Sequence, residues 1–300
     1  MSAPLLAKLI AVAGLAIIAA VIIITRRAWV PGIGHAVPSV WRIAKITVAE
    51  ARRRRVLQVA IVLLVVIFMS MNFFSYLSPE EQSRMLISGG LSAITVFGIL
   101  LAIFVAAFLI PGEIDKRTIY AVLSKPVRRF EFVLGKYVGA LIIIGALVAI
   151  MTVVLVAVLL IQDALVEDLP DSVFDPNIRA VLFASLMSYC SLCVLTAIII
   201  FISTISSTTM TVIGALIVWA VGSMQSTLHD LAEHAVGFSR ATLLILYHVV
   251  PKLENFDFRQ QASNLLPIHM LGAWNQILHG IGYVVVVLIL AAIFFNDRQV

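Results

Sequence analysis

Few residues in this sequence could do chemistry, and their spacing limits what that chemistry could be. Cys190 and Cys193 form a C-x-x-C. Redox or metal work needs thiolates in a polar, accessible setting. This pair sits inside a continuous apolar stretch, so it reads as small packing residues of a helix interior. Five of the six histidines (His229, His234, His248, His269 and His279) fall late in the chain. Imidazoles are common metal ligands. However, His229 and His234 are five positions apart, miss the i,i+4 face a helical site prefers, and have no accompanying cysteine. They read as interfacial histidines, and no metal, cofactor or catalytic residue is expected in this chain. No G-x4-G-K-[S/T] loop occurs, so the chain is not expected to hydrolyse a nucleotide itself. Neither H-E-x-x-H nor G-x-S-x-G is present, which leaves a membrane protease or acyltransferase unsupported.

The densest charge lies between Pro111 and Lys136, PGEIDKRTIYAVLSKPVRRFEFVLGK. Six basic and three acidic residues fall within 26 positions, in a chain only 12% charged. The stretch separates two long apolar runs. A charged, turn-containing connector of this size cannot lie in hydrocarbon, so it must lie at one membrane face. Pro111 and Gly112 stop the incoming helix. Ile114 to Leu123 can form about two turns across that face. Pro126 suits a helix's first turn and disfavours helical geometry at Lys125, so the chain breaks before the next run.

The elements that must position this connector follow from composition. The chain is 62% hydrophobic, with a mean hydropathy of +1.09; a soluble domain is about 45–50% apolar. The excess is concentrated in runs long enough to span a bilayer as helices, which takes about 20 residues. The fold class is therefore all-α and polytopic. The runs are continuous rather than alternating, so a β-barrel is excluded. Spans are expected at 9–25, 56–76, 87–110, 137–161, 180–203, 209–225 and 273–295. The first, Leu9 to Thr25, is followed by Arg26 and Arg27 and by no small-residue cleavage site. It reads as a retained helix rather than a signal peptide. No acid or base lies well within a run, which argues against proton coupling or voltage sensing. Hydroxyls at Ser185, Ser188, Tyr189, Ser191 and Thr196 could line a path or bond helix to helix. Gly135 and Gly139 form a G-x-x-x-G that signals close packing against an unassigned helix.

Between the first two spans, residues 40–55 read VWRIAKITVAEARRRR. Trp41, Ile43, Ile46, Thr47 and Ala49 are expected on one side, and Arg42, Lys45, Glu50 and Arg52 on the other. Such a basic amphipathic helix is expected flat at the headgroups, in contact with membrane lipids. Arg52, Arg53, Arg54 and Arg55 then pin the next span to the same face. Placing the connector in the cytoplasm puts 15 of the 21 lysines and arginines inside and 6 outside, as the positive-inside rule requires. The N-terminus is then outside and the C-terminus inside. The net charge of +5 is explained by this distribution, with no nucleic-acid partner. Residues 226–272 form a long outer segment. It contains Ala241 to Val250, too short to span, and offers a docking surface for an extracytoplasmic protein.

The connector carries an ordered series: Glu113, Thr118, Leu123, Ser124, Pro126, Arg129, Gly135 and Lys136. It resembles the loop between the second and third helices of ABC-2 type transporter permeases. Two weaker matches accompany it: the Ser/Thr-rich turn and helix at 203–222, and Tyr247-x3-Pro251-x-Leu253-x2-Phe256-Asp257 before the last span. Together they cover residues 40–300, leaving 1–39 as an N-terminal helix and linker. The resemblance implies a six-helix permease core in the cytoplasmic membrane; the span at 9–25 is one extra helix and departs from that pattern. The same resemblance implies a paired permease, as a homodimer, and a separate ABC ATPase that holds ATP and magnesium. It also implies export and coupling through Glu113, Arg117, Thr118, Leu123, Ser124, Pro126, Arg128 and Arg129. Two alternatives remain: an ABC-type subunit acting on an extracytoplasmic protein, and a membrane enzyme or scaffold that needs no ATPase.

Overall fold

The structure is a computed structural model that describes residues 33–53, 82–111, 129–166, 176–234, 243, 247, 250–264, 266 and 270–297. The described residues are helical, with no strand among them. In chain order the helices are α1 (Ile33–Arg53), α2 (Gln82–Leu109), α3 (Arg129–Val166), α4 (Pro176–Ile205), α5 (Thr208–Ser223) and α6 (Gln225–His234). A 3-10 turn at Leu253–Phe256, α7 (Arg259–Ser263) and α8 (Met270–Asp297) follow.

Four of these helices are long and apolar enough to cross a membrane, at 84–109, 129–160, 177–205 and 272–295. They coincide with four of the spans the sequence predicts. The expected spans at 9–25 and 56–76 lie outside the described residues. The expected span at 209–225 differs. α5 has only 16 residues, about 24 Å at 1.5 Å per residue, less than the roughly 30 Å hydrocarbon core. At Met224 the chain bends by 73° into the polar α6. The pair is thus a broken span or a re-entrant element, not one straight helix.

α4 is the centre of the bundle, packed against α2, α3 and α8. Small residues let the helices approach. A Cβ at Gly98 would fall 2.4 Å from a Leu192 methyl, and one at Gly145 would fall 3.2 Å from the Tyr189 ring. Four hydroxyls of α4 have partners. Ser185 donates to the Val181 carbonyl at 2.8 Å and Thr196 to Leu192 at 2.6 Å. Tyr189 donates to Leu141 at 3.1 Å, and Ser188 lies 3.4 Å from the Thr95 hydroxyl. Tyr189 and Ser188 thus reach neighbouring helices, whereas Ser185 and Thr196 bond back within α4.

The ends of the bundle are fixed by aromatic contacts. Phe132, near the start of α3, stacks on Phe295, near the end of α8, at 5.6 Å. Phe201, near the end of α4, meets Phe294 edge-on at 5.7 Å. The 206–207 turn, the end of α8 and the residues flanking the 112–128 connector thus share one end of the bundle. The α5–α6 elbow and residues 250–264 occupy the other.

Candidate functional site

Glu113, Arg117, Thr118, Leu123, Ser124, Pro126 and Arg128 lie outside the described residues. What the structure gives is the seat on which the connector is mounted. α3 begins at Arg129, eight residues before the span predicted from 137. Glu131 and Lys136 are counted with the charged connector in the sequence, yet they stand in α3 and are only 5% and 2% exposed. The Lys136 ammonium lies 5.6 Å from the Phe132 ring centroid, so its charge faces an aromatic surface.

α1 forms one wall of this seat. Ser39, Ile43, Ala44, Thr47 and Ala51 are buried, and α1 packs chiefly on α3. A Cβ placed on Gly135 would stand 2.6 Å from the Ile43 Cβ, and one on Gly139 would stand 2.7 Å from the Thr47 Cβ. The partner of the G-x-x-x-G is therefore α1. The two helices step together, one turn on each, so α1 is docked along the base of α3 rather than lying apart from the bundle. The expected single apolar side is corrected. Ile43 and Thr47 face inward, while Trp41 and Ile46 are 50% and 62% exposed. At about 100° per residue Trp41 is some 200° round from Ile43 and cannot share its face. Ala49 also points outward.

The exposed face of α1 keeps its basic character. Arg42 and Lys45 are exposed. The Lys45 ammonium lies 5.5 Å from the Trp41 ring centroid, and Arg42 donates to the Pro38 carbonyl at 3.1 Å. Arg52 and Arg53 end α1, with side chains that are not described; Arg54 and Arg55 lie outside the described residues.

Arg129 forms the second tether. Its guanidinium donates to the Phe295 carbonyl at 3.0 Å and lies 6.0 Å from the centre of that ring. The last carbonyls of a helix lack intrahelical partners, and a cation there also complements the helix dipole. Arg129 thereby joins the first residue of α3, directly after the connector, to the end of α8, 166 positions away. Sequence reasoning did not find this link. It did have a signal for α1: the uncharged side chains Ser39, Ile43, Thr47 and Ala51 recur every four residues.

The opposite end is held by polar contacts across the α5–α6 elbow. The backbone amide and hydroxyl of Ser226 donate to the Glu254 carboxylate at 2.8 and 2.7 Å. Gly222 admits Leu253 and the Pro251 carbonyl, both about 3.0 Å from where a Cβ would be. Arg259 pairs with Asp257 and also donates to Ser92 of α2 at 3.2 Å. Burial pushes the Asp257 carboxyl up, but its bonds to Arg259 outweigh this and hold it below the ordinary range. No group of three metal ligands occurs among the described residues. His229, His234 and His279 are exposed, while His248 and His269 lie outside the described residues.

A family model described as ABC-2 family transporter protein matches residues 41–300. No curated protein matches the chain.

Proposed function

The chain belongs to the ABC-2 transporter family over residues 41–300, and on that premise we propose that it is the permease half of an exporter driven by a separate ATPase. The membrane-spanning component is a multi-pass helical protein and is not itself the catalyst. The observation that carries the coupling role is the mounting of the 112–128 connector. It is flanked directly by Arg129, which is tied to the end of α8, and by the base of α3, which is locked to α1. Motion delivered to the connector would reach three helices at once. Glu113, Arg117, Thr118, Leu123, Ser124, Pro126, Arg128 and Arg129 form the contact surface for the ATPase in this reading. ATP and magnesium belong to that partner. Trp41, Arg42, Lys45 and Arg52–Arg55 bind the headgroups on the same side.

The proposal places the connector in the cytoplasm, the C-terminus beside it, and the N-terminus and the 226–272 segment outside. A second copy of the chain completes the transport path. The firmly clamped 250–264 segment favours, as a second reading, an outer surface that also receives an extracytoplasmic protein. Two measurements test this reading. Cysteines placed at Lys116, Arg128, Asp171 and Asn255 should divide under an impermeant thiol reagent in intact cells. Labelling is expected at 171 and 255 only, and the reverse pattern overturns the orientation. The chain isolated in a mild detergent from its native membrane should bring with it a magnesium-dependent ATPase activity. Isolation of an intact, dimeric chain free of any ATP-binding protein favours an enzyme or scaffold instead.

A further inference from the structure

At the end of the bundle away from the connector, the α5–α6 elbow encloses an open recess of about 750 Å³. Among the described residues lining it are Gln225, Gln261 and Gln276, from α6, α7 and α8 respectively. Each of these three side chains has a carbonyl oxygen that is buried and without a hydrogen-bond partner. Buried polar atoms are paired in roughly nine cases of ten or more, and each exception calls for an explanation. Here three side chains that carry orphaned acceptors, brought by three helices, line one recess. Gln225 is only 3% exposed, and its amide nitrogen is engaged by the Val250 carbonyl at 3.3 Å. Gln261 and Gln276 are half-buried. Their terminal amide torsions are soft, so a turn of the amide is the movement by which the oxygen would reach the recess.

Three of the charged side chains in the wall have partners, and the exposed Asp230 adds a further carboxylate. Glu254 accepts two bonds from Ser226, and Asp257 is paired with Arg259. The Lys252 ammonium donates to the Tyr247 hydroxyl at 2.6 Å and stands 4.1 Å from the centre of that ring. A cationic ligand would find the aromatic face taken by a lysine, and an anionic one would meet carbonyl oxygens. What remains on offer are the glutamine oxygens and the Asp230 carboxylate, all acceptors for hydroxyl donors, together with ring surface from His229 and Phe258. We infer that this recess binds a neutral, hydroxyl-rich group, a polyol or a glycosyl unit whose O–H groups satisfy the glutamine oxygens. A recess of this volume falls in the range of small-molecule sites. The same chemistry could arrive as a free solute or as the headgroup of a glycolipid. This inference goes beyond the permease reading and does not depend on the motor.

The test uses the full chain in nanodiscs, free of glycoside detergents, whose headgroups carry the same chemistry. The probes are glucose, sucrose and myo-inositol in solution, and a glucosyl diacylglycerol in the disc, with tetramethylammonium as the cationic control. Binding is read by saturation-transfer NMR and titration. Gln261→Met and Gln276→Met keep side-chain length and remove the acceptor. Each is expected to weaken polyol binding about three- to tenfold, as the loss of one neutral hydrogen bond does. ATPase stimulation is recorded in parallel, so that a failed recess and a failed permease reading are told apart. Binding of the soluble probes, weakened in the variants, supports a solute. Binding seen only with glycolipid discs, and weakened likewise, supports a headgroup. The inference is overturned if no probe binds, if wild type and the double variant bind equally, or if only tetramethylammonium binds. If the double variant does not fold, Gln261→Met alone decides by the same criterion.

Discussion

Replacing Gly135 and Gly139 by leucine should detach α1 from α3. The atoms that a new Cβ would meet are the Cβ atoms of two branched residues, at 2.6 and 2.7 Å, backed by the Val40 and Ala44 carbonyls at 3.1 and 3.2 Å. None of these lies at the free end of a flexible chain, so the helices must part. Overpacking of this kind costs about 1–3 kcal/mol per site. The two sites lie one turn apart on a single interface, so their effects couple rather than add. Ala51→Cys reports the outcome, since Ala51 belongs to the buried face of α1. In the parent background the thiol should resist a polar maleimide, and in the double-leucine background it should react. Gly139→Ala, the mildest change, should give an intermediate rate. An unreactive thiol in a well-expressed double variant would show that α1 is held by something other than the glycine seat.

Reversing charge at Arg128 should abolish coupling while leaving the bundle intact. Arg128 and Arg129 are neighbours with separable expectations. Arg129 holds the end of α8 through the Phe295 carbonyl, so Arg129→Ala is expected to loosen that terminus as well as any contact with a partner. Arg128 is assigned only the docking role in the proposed reading. Truncating one partner of a desolvated interfacial charge pair typically costs about 2–5 kcal/mol, whereas a solvated pair is worth about 0–1 kcal/mol. Arg128→Glu should therefore keep normal expression and thermal stability and lose the co-isolated ATPase activity by at least about tenfold. Unchanged ATPase recovery would reduce Arg128 to a topology signal.

The spans at α2, α3, α4 and α8 were legible because each is a continuous apolar run bounded by charge or Pro-Gly. The glycine pair was legible as a contact, but its partner was not. The every-fourth-residue stripe of α1 suits lipid as well as protein, and only the fold brings it to α3. Trp41 misled because it is apolar; its angular position places it outside. α5 was read as a full span because no proline marks its end. The break at Met224 is stabilised from afar, by Glu254 on Ser226 and by Pro251 and Leu253 at Gly222. The Arg129 tether and the three glutamine oxygens are likewise non-local. Glu131 and Lys136 looked like connector charge because composition does not reveal that a helix can bury an ammonium against an aromatic ring.

The central claim is that the 112–128 connector receives force from a separate ATPase. A photo-crosslinking amino acid at Arg117, activated in native membranes, tests it most directly. The account predicts one dominant adduct, whose captured protein binds ATP and carries a phosphate-binding nucleotide loop, and which disappears in the Arg128→Glu background. An adduct only to lipid or to a second copy of this chain, with transport or ATPase coupling intact, would contradict it.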